Sequence, residues 1–210
     1  MEQTGLLPAP GLSLQAVVRA FQVPGAFPSS SPLFALETRR NQQGLVLAAF
    51  LEYLLEGGEV YCLDAGNCFD PYPLALAART IGRLPEEVLE RVFVSRAATC
   101  HQVVSVVEEL LLPLGREPAR KVVAVLGINT LFSDEDIPLF ERRYLFNRTL
   151  QGIASIRSAG IGCIVTYSPQ AREQRTNPNW AVLLQRTLQP SRLKEDSIHG
   201  QNHSHLYPLS

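Results

Sequence analysis

The residues best suited to chemistry fall in a few polar stretches between apolar runs. The loop Glu37-Thr38-Arg39-Arg40-Asn41-Gln42-Gln43-Gly44 follows one predicted strand and opens a predicted helix. Arg39 and Arg40 there could bind an anion with the free N–H groups of the helix start, although two arginines on a polar loop are more plainly read as solvated. Asp64 ends another apolar run, where its carboxylate is suited to capping the loop before Phe69. In SPQAREQRTNPN, residues 168–179, Arg172 and Arg175 could meet phosphates while Trp180 stacks on a base. The plainer account is a surface loop with two arginines and a buried anchoring tryptophan. Asp134, Glu135 and Asp136 read as negative charge favouring the start of the next helix. Arg142, Arg143 and Arg148 read as that helix's solvated face, with Glu141 as a partial neutraliser. His199, His203 and His205 could hold a metal loosely, but scattered histidines in a polar tail bind nothing in particular.

Composition narrows the classes. The chain has 210 residues, 46% of them apolar, which fits one domain with a full core. A formal net charge of -1 excludes a polybasic chain that holds nucleic acid by bulk electrostatics, and leaves only a local basic loop for that purpose. Lys121 and Lys194 are the only lysines, and this arginine bias needs no phosphate-binding explanation. Cys62, Cys68, Cys100 and Cys163 form no C-x-x-C pair, which fits thiols in a reducing cytoplasm. MEQTGLLPAPG lacks the basic flank and unbroken apolar run of a signal peptide. No stretch reaches the roughly 18 apolar residues of a membrane span, so a soluble protein is expected.

These residues must be positioned by an alternation of short apolar runs with longer segments of helical period, the pattern of βαβ units on a parallel sheet. Strands are predicted at 33–36, 60–63, 92–94, 122–126, 161–166 and 182–187. Helices are predicted at 44–56, 72–81, 100–112 and 139–159, with Gly57-Gly58, Pro113 and Gly160 as stop signals. Runs such as KVVAVL and GIGCIVT are near-continuously apolar, as strands covered on both faces are. Residues 1–32, rich in Pro, Gly and Ser, read as a loosely ordered arm with one amphipathic patch, Leu12 to Phe21. Residues 33–190 read as the α/β core and 191–210 as a disordered tail.

The stretch EVYCLDAGNCFDPYPLALAARTIGRLPEEVLERVFVSRA resembles the archaeal and eukaryotic branch of the RecA/RadA recombinase family. The resemblance falls on Asp64 at a strand end, Phe69 and Pro71 in the loop, Leu84 to Arg91, and Ser95 to Ala97. KVVAVLGINTLF is similar to the family's Walker B strand with its small-residue turn, and GIGCIVTYSP to the later strand that ends in a polar sensor residue. The likeness spans roughly residues 33–187. It implies a RecA-like P-loop NTPase fold, a mainly parallel central sheet flanked by helices.

It also implies chemistry that the residues do not supply. A phosphate-binding loop needs G-x-x-x-x-G-K-[ST], so that backbone N–H groups curl around phosphates while Lys and Ser/Thr reach phosphate and Mg²⁺. In register, Glu37 and Gln42 stand for the two glycines, Gln43 for the lysine and Gly44 for the hydroxyl residue, and no GK[ST] triplet occurs anywhere in the chain. Leu126 replaces the Walker B aspartate and has no capacity to ligate a metal. Gly66 replaces the water-activating glutamate, and Tyr167-Ser168 stands for Asn-Gln. The resemblance therefore implies a degenerate phosphate-binding loop, with Glu37, Arg39, Arg40, Gln43, Gly44 and Asp64 as vestiges of a nucleotide site. It implies no catalytic residue, metal or cofactor, weak ATP or ADP binding being left open. Arg172, Arg175 and Trp180 match the position of a DNA-contacting loop. The expected role is a non-hydrolysing accessory protein of DNA recombination or repair that contacts a RecA/RadA-type recombinase or another RecA-like subunit, with DNA as a further ligand and no membrane contact. The alternatives are a weak nucleotide or anion binder and a structural subunit of an unrelated complex.

Overall fold

A computed structural model describes residues 33–38, 45–168 and 178–188. The arm 1–32, the tail 191–210, and Arg39, Arg40, Gln43, Gly44, Arg172 and Arg175 lie outside the described residues.

Five strands form one all-parallel sheet: β1 (Leu33–Glu37), β2 (Glu59–Asp64), β3 (Val92–Arg96), β4 (Lys121–Leu126) and β5 (Gly162–Tyr167), in the order β1-β5-β4-β2-β3. Between β1 and β2 lie two short helices, α1 (Leu45–Ala48) and α2 (Leu51–Leu55), separated by a turn where a single helix is predicted. Between β2 and β3 lie α3 (Tyr72–Thr80) and α4 (Pro85–Leu89). The second of these lies where no helix is predicted, but Pro85 opens it and Glu86 and Glu87 occupy its first turn, a composition suited to a helix start. After β3 come α5 (Cys100–Ser105), a wider π-type turn (Val106–Leu111) and a 3₁₀ turn (Leu112–Arg116). Pro113 thus lies within the last helical turn rather than ending the segment. Helix α6 (Leu139–Ser158) leads to β5, and α7 (Trp180–Leu188) closes the described chain.

The strand order explains why the core has two halves. The crossovers β1 to β2 and β2 to β3 run one way along the sheet, while β3 to β4 and β4 to β5 run back. Because such crossovers are right-handed, helices on the outward and return journeys fall on opposite faces. One apolar cluster accordingly joins Phe34, Cys62, Ala124, Leu126 and Ile164 to Phe50, Leu54, Leu74 and Val88 of α1 to α4 and their connecting turn. The other joins Leu33, Leu63, Val123, Val125 and Val165 to Val103, Phe146, Ile153, Trp180 and Leu184.

The predicted strand at 182–187 is instead part of α7. The run VLLQRT is too short for its periodicity to discriminate. Its context decides: Asn179 Oδ1 accepts the Val182 N–H at 3.1 Å as a helix cap, and Trp180, Leu184 and Leu188 are buried at a spacing of four. Arg142 also departs from the solvated face, being 5% exposed with Nη1 donating to the Phe132 carbonyl at 3.2 Å. Arg148 is half-buried and forks onto Glu108 at 3.0 and 2.5 Å, while Arg143 is exposed. The predicted stop at Gly57-Gly58 is present: Gly57 takes φ +89°, and a Cβ on Gly58 would lie 2.3 Å from the Tyr53 ring. No helix among the described residues is long and apolar enough to cross a membrane.

Burial gives the fold a specific sensitivity to alkali. It pushes Tyr53 from 10.0 up to about 12, opposed by Arg120 and reinforced by Glu59, and pushes Cys163 from 9.0 up to about 12, opposed by Arg157. Both groups hold their proton longer folded than unfolded. Their contribution is full below pH 9 and is lost as pH rises through the window from 9 to 12, at about 1.4 kcal/mol per pH unit for each group still protonated only when folded. Urea unfolding at pH 7, 9, 10 and 11 under reducing conditions should show this decline. A flat profile across the series would contradict the burial of both groups.

Candidate functional site

The carboxyl ends of β2, β3 and β4 gather most of the polar structure. β2 sends its chain outward to β3, whereas its neighbour β4 sends its chain back to β5. Adjacent strands whose connections part in this way leave a crevice beyond their carboxyl ends, the usual ligand position in open parallel sheets. An open cleft of about 630 Å³ lies here, lined by Ala65, Gly66, Asn67, Arg96, Ala97, Ala98, Thr130 and Leu131.

Asp64, the last residue of β2, immediately precedes the lining residue Ala65. The residue is fully buried, and both carboxylate oxygens have partners: Oδ1 accepts the Cys68 N–H at 2.9 Å, and Oδ2 accepts from Arg96 Nε at 3.0 Å. The first bond closes the loop 65–68, in which Asn67 adopts φ +47°, so the loop-capping reading of Asp64 holds. The second ties the end of β2 to the end of β3, in register with it. Burial, then Asp64 and Cys68, push the nearby Cys62 thiol well above its ordinary value, against Arg96.

On the other side of β2, Asp64 is in register with Leu126, which is fully buried in the core under α1 to α4. Gly127 follows at φ +66°, its N–H donating to Thr166 Oγ1 at 2.9 Å, and the Ile128 N–H donates to the Thr166 carbonyl at 3.0 Å. Asn129 then grips the end of β5 twice: Oδ1 accepts the Ser168 N–H and Nδ2 donates to the Ser168 carbonyl, each at 3.0 Å. These bonds fix the turn after β4 against β5 through neutral groups. Asp134 accepts the Asp136 N–H at 3.0 Å and forms its own turn, five residues before α6 begins.

Of the residues singled out by sequence, Glu37 is exposed at the end of β1 and Asp64 is buried at the end of β2, with β5 and β4 between those strands. The two are not brought together as one site. Trp180 is 1% exposed, with ring centroids 4.8 Å from Phe146 and 6.1 Å from Phe132. Its faces are taken up by the core, which removes it from any base-stacking role. Arg96 is the residue that sequence reasoning passed over. It stands 32 positions from Asp64, and only the pairing of β2 with β3 makes the two neighbours. Among the described residues, no group of three or more His, Cys, Asp or Glu could hold a metal ion.

The chain is an α/β protein with a five-stranded parallel sheet and a cleft at its topological switch point. No protein-family model matches it, and no curated protein matches it.

Proposed function

We propose that this chain is a RecA-like accessory protein that does not turn over ATP and acts by docking onto an active recombinase or a related RecA-like subunit. The resemblance across residues 33–187 motivates the reading, and the five-stranded parallel sheet covered on both faces is compatible with the mainly parallel, helix-flanked sheet that the resemblance implies. The observation that carries it is the pair Leu126 and Gly66. Leu126 ends β4 and Gly66 lies two residues beyond β2, at positions where the resemblance calls for acids, one to hold Mg²⁺ and the other to activate water. Leu126 is sealed in the core and Gly66 has no side chain. Asp64, the acid nearest them, is committed to Cys68 and Arg96. A phosphoryl-transfer site without metal ligand or base lacks the two terms that supply most of its electrostatic stabilisation.

The test has two arms on the full chain. Incubation with Mg²⁺ and ATP should release no phosphate above a protein-free blank, and magnesium-dependent turnover would overturn the reading. A pull-down with the host's recombinase at low salt should retain the chain, and failure to do so would remove the docking half of the proposal while leaving the chemistry intact.

A further inference from the structure

The geometry points to Arg96 as the receptor for a small oxyanion-bearing ligand, a carboxylate or phosphate monoester on a short apolar body, bound in the cleft at the carboxyl ends of β2, β3 and β4. This inference does not rest on the recombinase-like reading, since it uses neither the loop after β1 nor any nucleotide contact.

Three observations carry it. The cleft lies at the switch point of the sheet and its volume of about 630 Å³ suits a small molecule. Arg96 lines it with 56% of its side chain exposed, while its Nε is held by a carboxylate that is itself fully buried. The guanidinium makes no other hydrogen bond among the described residues. A guanidinium carries five N–H donors in a planar fork. One is spent on Asp64, so four remain on the two Nη groups, matched to the paired oxygens of a carboxylate or phosphate. Because Asp64 already orders the side chain, a ligand would not have to freeze it, which removes part of the usual cost of binding.

The walls define the rest of the ligand. Ala65, Ala97 and Ala98 offer only methyl groups and Gly66 offers none, while Leu131 and the exposed Thr130 lie across the cleft. An apolar body fits against the alanines and Leu131. The charge of Asp64 is offset by the Arg96 guanidinium that it holds at 3.0 Å. The Asp64–Arg96 pair is formally neutral, so recognition comes from directed hydrogen bonds rather than from net field, and affinity should fall only modestly with added salt.

The test follows backbone amide shifts of the isotope-labelled full chain during titration with phenyl phosphate, benzoate and, as a neutral analogue, benzyl alcohol. One or both anions should give saturable millimolar binding, with shifts centred on residues 65–67, 96–98 and 130–131, and benzyl alcohol should not. Arg96→Gln should weaken binding at least tenfold, about 1.4 kcal/mol. Ala98→Phe, at an exposed position, should fill the cleft and abolish binding with Arg96 intact, and it decides the matter if Arg96→Gln fails to fold. Absence of saturable shifts with both anions, equal binding of benzyl alcohol, or undiminished binding to Ala98→Phe would each overturn the proposal.

Discussion

Leu126→Asp, which restores in letter the acid that a magnesium-binding strand end requires, should destabilise the protein by more than about 3 kcal/mol and create no magnesium site. Leu126 is fully buried among the apolar residues under α1 to α4. Truncating such a leucine costs about 2–5 kcal/mol through lost transfer energy and the cavity left behind. The new carboxylate adds the expense of burying a polar group without a partner. Its neighbour in register is Asp64, on an adjacent strand about 4.8 Å away. The Arg96 guanidinium offsets only one of the two carboxylates, so ionising the second in a dry site is costly, and among the described residues no group of three acids, His or Cys could complete a metal shell. Urea unfolding of Leu126→Asp beside Leu126→Ala separates the terms, since the alanine variant carries the cavity alone. The aspartate variant should be the less stable, and Mg²⁺ should not restore it. Rescue by Mg²⁺ to the stability of the parent chain would mean that the end of β4 is an open metal site, and would undo the account of Leu126 as a core residue.

What the sequence discloses depends on how local the deciding interaction is. Five strands are legible because runs such as VVAVL, which follows Lys121, have no polar residue to place in solvent, and their helices follow from apolar spacing between Gly and Pro signals. Asp64 as a loop cap is legible for the same reason, its partner Cys68 being four residues away. The failures are cases where a distant element decides. Arg142 reads as one of three surface arginines until the carbonyl of Phe132, ten residues earlier and turned back by the loop before α6, accepts its guanidinium. Arg96 reads only as part of Ser95 to Ala97, just past a predicted strand, until β2 brings Asp64 beside it. At 182–187 the error was one of length: six residues carry too little periodicity, and the cap at Asn179 and the burial of Trp180 and Leu188 lie outside that window. The cleft belongs to this second class, because it is a product of strand order, which no local pattern encodes.

The most severe loss from a single truncation is expected at Trp180. Trp180→Ala should cost about 3–5 kcal/mol, the range for removing a large buried aromatic. The indole is 1% exposed and completes a cluster in which Phe132 and Phe146 also meet edge to face at 4.9 Å. That cluster joins α7 and the turn at Leu131–Ser133 to α6, so its removal loosens three elements at once. The indole N–H is buried without a hydrogen-bond partner among the described residues, so the loss is one of packing and contains no hydrogen-bond term. Trp180→Phe, which also discards that unpaired donor, should therefore cost less than half as much as the alanine variant. Because this is the only tryptophan in the chain, its fluorescence reports on this cluster alone. Emission should be blue-shifted and poorly quenched by iodide in the folded state, and should not change when single-stranded DNA is added. An alanine variant as stable as the parent, or strong quenching by DNA, would return Trp180 to the surface and with it the base-stacking role that its burial excludes.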